Sequence, residues 1–205
     1  MFQKRMQTLR KKLKEANIDI AVITDDDSVY YYTGYYDYLH MEFARPTILI
    51  VPKNDKSFLI TPTVDMALAE DATIENIEAW NDGVGNEWRE HIPNMLKGKI
   101  HIGIEENHMP AVVRKYLDSL IDKEKIVNVT PIIVEMRMIK SDDELQIARF
   151  AGQVGVAMMT AARGTIADGV PEYEVAIAAS NAGTRKASEI LNNHYKGTRM
   201  SPLIH

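Results

Sequence analysis

The sequence predicts an α/β protein: a mixed sheet flanked by helices over residues 1 to about 130, followed by two long helices. Three observations carry this. Short apolar runs of strand character alternate with amphipathic helical segments through the first part of the chain. Two of those runs are joined by PKND, a Pro/Asn/Asp turn that makes them an antiparallel hairpin within an otherwise alternating pattern. Beyond Pro131 the strand signals stop and only helical periodicity remains. The shift divides the chain into residues 1–130 and 131–205.

The elements follow in order. MFQKRMQTLRKKLKEANI places Phe2, Met6, Leu9 and Leu13 on one helical face, with lysines and arginines opposite. A basic amphipathic stretch also suits an organelle-targeting or membrane-surface helix. The reading as a domain's opening helix prevails, because no cleavage site or linker follows. Asn17 stops it directly ahead of the apolar run Ile18–Ile23. IDIAVIT, from Ile18 to Thr24, reads as a buried strand. The aromatic-rich SVYYYTGYYDYL comes next and is broken at Gly34. Thr47–Val51 and Ser57–Thr61 are the hairpin strands, and Thr63 is placed to cap a short helix to about Glu70. Ile74–Trp80 reads as a strand and Asn86–Leu96 as a helix interrupted or kinked at Pro93. KIHIGIE, from Lys99 to Glu105, alternates with a period of two and predicts a strand. Pro110 suits the first turn of a helix to about Ile121, and Ile126–Val129 is the last short strand.

Pro131–Ile139 reads as a helical connector. The long helix that follows has a well-marked start: Ser141 stands at the N-cap and Glu144 completes a Ser-x-x-Glu capping box. Asp142 and Asp143 place negative charge where the helix dipole favours it. This helix is expected to run to Arg163. After the loop GTIADGVPE, Pro171 opens a second helix to about Leu191. Leu145, Ala148, Gly152, Gly155, Met159 and Ala162 form a small-residue stripe on the first, and Ala176, Ala179, Gly183, Ala187 and Ile190 on the second. Each helical Gly costs about 1 kcal/mol against Ala, so the stripes predict close approach by another backbone. They expect a sheet that does not appear before His205.

Composition narrows the function classes. A net charge of −5, from 24 basic and 29 acidic residues, argues against nucleic acid as the main partner. No apolar run reaches the length of a membrane span. The absence of Cys removes disulfides, thiolate metal sites and a cysteine nucleophile, and fits a cytoplasmic setting.

EMRMIKSDDELQIARFAG resembles the junction segment of the pita-bread metallohydrolases, a family containing Xaa-Pro aminopeptidases, prolidases, creatinases and ectoine-type hydrolases. Arg137, Ile139, Lys140, Ser141, Glu144 and Ala151 carry the likeness. GVPEYEVA, with Glu172, resembles the family's Gly-x-x-Glu helix start, and SVYYYTGY its Tyr-x-(Thr/Ser)-Gly turn. The resemblance implies that residues 1–130 are a ribonuclease-H-like mixed sheet, the creatinase/prolidase-type N-terminal domain. It implies that residues 131–205 are a linker helix and the first helices of an incomplete pita-bread α+β catalytic domain.

The family's centre uses two Asp, a His and two Glu, usually around a divalent metal pair (Mn, Co or Zn), whereas the creatinase branch works without metal. No catalytic or metal-binding residue is expected in this chain. Asp26/Asp37 and Asp71/Asp82 have the eleven-residue spacing of the paired Asp but fall in loop contexts of the first domain, where solvated carboxylates are the ordinary reading. His40, His91, His101, His108 and His194 share no short-range ligand spacing, and His205 lacks the Ser-Gly loop and strand that precede the family's His.

MEFARPTILIV holds the one substrate-binding expectation. The resemblance implies that Phe43 and Arg45 reach into a neighbouring subunit's active site in a homodimer, with Arg45 pairing the carboxylate of a small substrate. The plain alternative is an edge Arg at a strand start. The tyrosines at 30, 31, 32, 35, 36 and 38 suggest an interface or pocket rim, or else core residues under the turn. The run NAGTRKASE resembles the creatinase and ectoine-hydrolase branch. The implied function is the N-terminal portion of a hydrolase of C–N bonds (amide, peptide or amidino), inactive by itself. The alternative is a non-catalytic protein-interaction module of the same fold.

Overall fold

β1 (Ile20–Ile23) is the hub of the fold, and all four of its residues are buried. A computed structural model describes residues 1–36, 45–81, 83 and 87–191. It divides into two compact units, Met1–Met138 and Ile139–His205. In the first unit six strands lie in the order β4-β3-β2-β1-β5-β6. β2 (Ile48–Pro52) runs antiparallel to β1 on one side, and β5 (Ile102–Ile104) runs parallel to it on the other. The PKND turn joins β2 to β3 (Phe58–Pro62) as the predicted hairpin, while β4 (Asn76–Trp80) and β6 (Ile126–Asn128) add in parallel at the two edges. The mixed sheet expected from the sequence is therefore present.

Strand alternation sends side chains to two cores. Ala21, Ile23, Leu49, Val51 and Leu59 meet the helices α1 (Phe2–Glu15), α2 (Asp26–Thr33) and α6 (Thr130–Met138). Ile20, Val22, Ile48, Ile50, Ile60, Ile102 and Ile104 meet α4 (Trp88–Leu96) and α5 (Ala111–Leu120). Coverage on both faces explains why β1 is apolar at every position. Gly103, between Ile102 and Ile104, faces the first core, where a Cβ would collide with Val129.

Helix ends follow the chain's chemistry. α1 buries Met6, Leu9 and Leu13 and stops at Asn17, whose φ of 54° is one that Asn tolerates. The aromatic stretch at Val29–Thr33 is helical. Asp25 caps α2, its side chain accepting the Ser28 N–H at 3.0 Å, and Gly34 ends it with φ 74°. Thr63 differs from its expected role: α3 (Met66–Ala69) has no side-chain cap. The Thr63 hydroxyl instead donates to the Trp80 carbonyl at 3.0 Å and so ties the end of β3 to the end of β4. Ahead of β1, the Asp19 carboxylate takes the Lys53 ammonium at 2.8 Å and the N–H groups of Ile100 and His101 at 2.8 and 3.1 Å. The lysine first, then the two amides, hold it well below the usual carboxylate range.

The second unit contains α7 (Asp142–Thr165) and α8 (Glu172–Leu191). The capping box forms as predicted: Ser141 Oγ accepts the Glu144 N–H at 3.4 Å and Glu144 Oε2 accepts the Ser141 N–H at 2.9 Å. Gly183 abuts Met158, so this glycine of the stripe serves the seam between α7 and α8. Apart from the backbone of α7 itself and the adjoining residues, Gly152 and Gly155 have no heavy atom among the described residues within 4 Å of where a Cβ would sit. No helix among the described residues is long and apolar enough to cross a membrane.

Candidate functional site at the carboxyl edge of the sheet

Strand polarity collects chemistry at one end of the sheet. β2 runs against the other five strands, so its start lies beside the ends of β1, β3, β4, β5 and β6. In open α/β sheets this edge is where ligands bind. Arg45, ahead of β2, stands at this edge and is half-buried. The buried Thr47 follows it, with Oγ1 3.5 Å from Thr61 Oγ1, which is itself 2.7 Å from the Tyr35 hydroxyl. Phe43 lies outside the described residues, as do Tyr38, Asp37, Asp82, His40, His194 and His205.

The tyrosines divide by role. Tyr32 and Tyr35 are core residues, and burial pushes the Tyr32 hydroxyl pKa far up. Tyr31 donates to the Met136 carbonyl at 2.9 Å and carries the Arg5 guanidinium 4.0 Å above its ring. Tyr30 and Tyr36 are exposed and meet edge-to-face at 6.2 Å.

The same edge carries a polar cluster that local sequence patterns did not single out. Ser28, wholly buried in the first turn of α2, has Oγ 2.7 Å from Glu105 Oε1 and 3.0 Å from Asp25 Oδ2. Arg137, from the last turn of α6, reaches Asp25 Oδ2 and Ser28 Oγ at 3.2 Å each and Asp27 Oδ2 at 3.0 Å. His108 Nδ1 is 3.6 Å from Asp25 Oδ1. Burial pushes the Glu105 carboxyl up to about 7; the Ser28 hydroxyl opposes this and the Asp25 charge reinforces it.

Among the described residues no group of three or more His, Asp or Glu is placed to hold a metal. They therefore do not fit the metal pair that the family resemblance implies. His91 Nδ1 is 3.7 Å from Glu78 and His101 Nδ1 is 3.4 Å from Asn17. A cleft of about 480 Å³, lined among others by Ile20, Phe58, Glu78, His91 and Lys97, lies at the opposite end of the sheet from Arg45.

Fold and edge together define a mixed-sheet α/β domain whose carboxyl end is organised by carboxylates and a guanidinium. The profile of the Creatinase/Prolidase N-terminal domain matches residues 5–139, well over half of the chain. The chain belongs to that family. It is 26% identical over 191 residues to the creatinase of Bacillus sp. (strain B-0618), covering 89% of this chain and 44% of that protein. A putative dipeptidase of Bacillus subtilis (strain 168) is 26% identical over 184 residues, covering 83% of this chain and 47% of the relative. This chain thus spans about half the length of the curated relatives it matches.

The prolidase of Pyrococcus horikoshii OT3 superposes with a TM-score of 0.72 at 22% identity, over 89% of this chain and 48% of that one. A proline dipeptidase structure from Streptococcus pneumoniae TIGR4 superposes at 0.57 and 22% identity, over 66% of this chain and 98% of that one. At such identities the likeness is one of fold.

Proposed function

We propose that this chain acts as the N-terminal part of a hydrolase of C–N bonds (amide, peptide or amidino), and that Arg45 binds a small substrate's carboxylate in the active site of a partner copy. The observation that carries the reading is the placement of Arg45: half-buried, at the carboxyl edge of the sheet, just ahead of a strand anchored by buried threonine hydroxyls. A guanidinium so rooted keeps its fork oriented, and a carboxylate matches that fork with two parallel hydrogen bonds. The creatinase and dipeptidase names of the relatives support a carboxylate-bearing substrate. Their roughly doubled length supports placing the reacting groups, with a divalent metal pair or with none, in the other half of such a protein.

The test has two arms. Alone, with Mn, Co or Zn supplied, the chain is expected to turn over neither creatine nor Xaa-Pro dipeptides. Turnover with stoichiometric metal would overturn the reading. In a chain of the relatives' full length, Arg45→Ala is expected to raise KM at least tenfold with folding intact, the effect of losing a charged pair. Unchanged kinetics would return Arg45 to an ordinary edge residue.

A further inference from the structure

We propose that the Ser28 cluster is a proton-operated latch: a proton held by Glu105 completes the hydrogen-bond chain that fastens the first turn of α2, with Arg137 of α6 bound to it, onto the end of β5. The argument is one of donors and acceptors. The Ser28 hydroxyl has one proton and two lone pairs. It lies within hydrogen-bond distance of three groups: Glu105 Oε1 at 2.7 Å, Asp25 Oδ2 at 3.0 Å and an Arg137 nitrogen at 3.2 Å. Arg137 can only donate and takes one lone pair. One proton and one lone pair then remain for two carboxyl oxygens, so both of those contacts are hydrogen bonds only when one of the oxygens itself carries a proton.

Asp25 Oδ2 already accepts the Ser28 N–H at 3.0 Å and an Arg137 N–H at 3.2 Å, which marks it as the anion. The proton therefore belongs to Glu105, which donates to Ser28, which donates to Asp25. The other oxygen agrees with this. Glu105 Oε2 is buried and makes no hydrogen bond of full geometry among the described residues, a state that a neutral carbonyl tolerates better than an anionic oxygen. The Asp25 N–H near the carboxyl favours the anion, but by less than burial opposes it. Burial of the carboxyl, with its pKa pushed up to about 7, points the same way.

Loss of that proton leaves two anions competing for one hydroxyl hydrogen, with Glu105 and Ser28 buried and Asp25 partly exposed. Relief comes from water reaching Glu105, and the first turn of α2 covers it through Ser28. Arg137 is attached to that turn at Asp25, Asp27 and Ser28, so the end of α6 moves with it. The titratable and charged groups facing the cluster are Asp25 at the N-cap of α2, Asp27 and Tyr32 from α2, His108 from the turn after β5, and Arg137 from α6. Glu106 is engaged by Arg114 at 3.4 Å. α6 ends the first compact unit at Met138, so the latch acts where the chain leaves that unit.

The inference stands apart from the proposed hydrolase function, and its test needs no substrate. Carboxyl ¹³C NMR of the chain, with the Glu105 signal assigned by its loss in Glu105→Gln, is expected to show titration near 7. Hydrogen exchange of residues 25–33 and 130–138, corrected for intrinsic rates, is expected to lose protection by at least tenfold between pH 5 and pH 7, within the limit of about tenfold per pH unit for one proton. Glu105→Gln is expected to flatten that dependence and His108→Asn to leave it in place. A Glu105 signal titrating in the ordinary glutamate range would overturn the latch. So would equal pH dependence in wild type and Glu105→Gln, or loss of the dependence in His108→Asn. Should Glu105→Gln fail to fold, the wild-type titration, with the signal assigned through residue-by-residue backbone correlations, decides the matter alone.

Discussion

The two compact units rest on different physics, although both are regular and well capped. Residues Met1–Met138 bury both faces of a sheet, with Leu9, Leu13, Ile20, Leu49, Ile50 and Trp88 wholly removed from solvent. In the helical unit α7 contributes no buried residue and α8 contributes only Gly183. Val156 and Met159 there stay 68% and 70% exposed. The first unit therefore draws its stability from apolar area removed from water, the second from caps, helix propensity and one interhelical seam. Helices held in that second way open locally at low cost, whatever their length.

Matched truncations give the largest expected contrast. Leu49→Ala, at the wholly buried centre of β2, should lose about 2–5 kcal/mol in urea unfolding, as cavity-forming core changes do. Leu145→Ala, on the half-open face of α7, should change stability by less than about 1 kcal/mol. Equal losses at the two sites would end the distinction between the units.

Glycine substitutions should change sign between them. A Cβ at Gly103 meets Val129 and comes within 3.2 Å of Ile18, so Gly103→Ala should cost about 1–3 kcal/mol by overpacking. Gly152 faces open space, and Gly152→Ala should stabilise α7 by up to about 1 kcal/mol of helix propensity. Thermal unfolding of the two variants, followed by circular dichroism, reads both signs. A destabilised Gly152→Ala would mean that something approaches α7 closely at that stripe.

What could be read from the sequence depended on how local the cause was. IDIAVIT and KIHIGIE declare their strands because apolar spacing is a property of neighbours, and Ser141 with Glu144 declares a cap for the same reason. The stretch Ser28–Thr33 hid its helix, because its tyrosines favour strands by propensity. Its information sat at the ends, in the Asp25 cap and the left-handed Gly34. Thr63 had a helix to cap but found the Trp80 carbonyl, a partner supplied by tertiary structure. The Ser28 cluster was least legible: Arg137 and Asp25 are 112 positions apart, and Glu105 at a strand end reads as nothing more than the strand stopping. Arg45 could be singled out by its motif, whereas its half-burial depends on strand order.

The smallest effect is the sharpest probe of whether the units are separate. Ser141→Ala removes the hydroxyl that accepts the Glu144 N–H, a long bond at 3.4 Å, but leaves the reciprocal bond from the Ser141 N–H to Glu144 at 2.9 Å. Asp142 and Asp143 still complement the helix dipole. The loss should therefore fall in the lower half of the usual range for a cap, about 0.5–1 kcal/mol. Because α7 has no buried residue through which to pass the loss on, hydrogen exchange should quicken in its first turns while the amides of β1 and β2 keep their protection. Equal loss of protection in α7 and the sheet would mean that the two units open as one, and that the difference between them lies in appearance and not in energy.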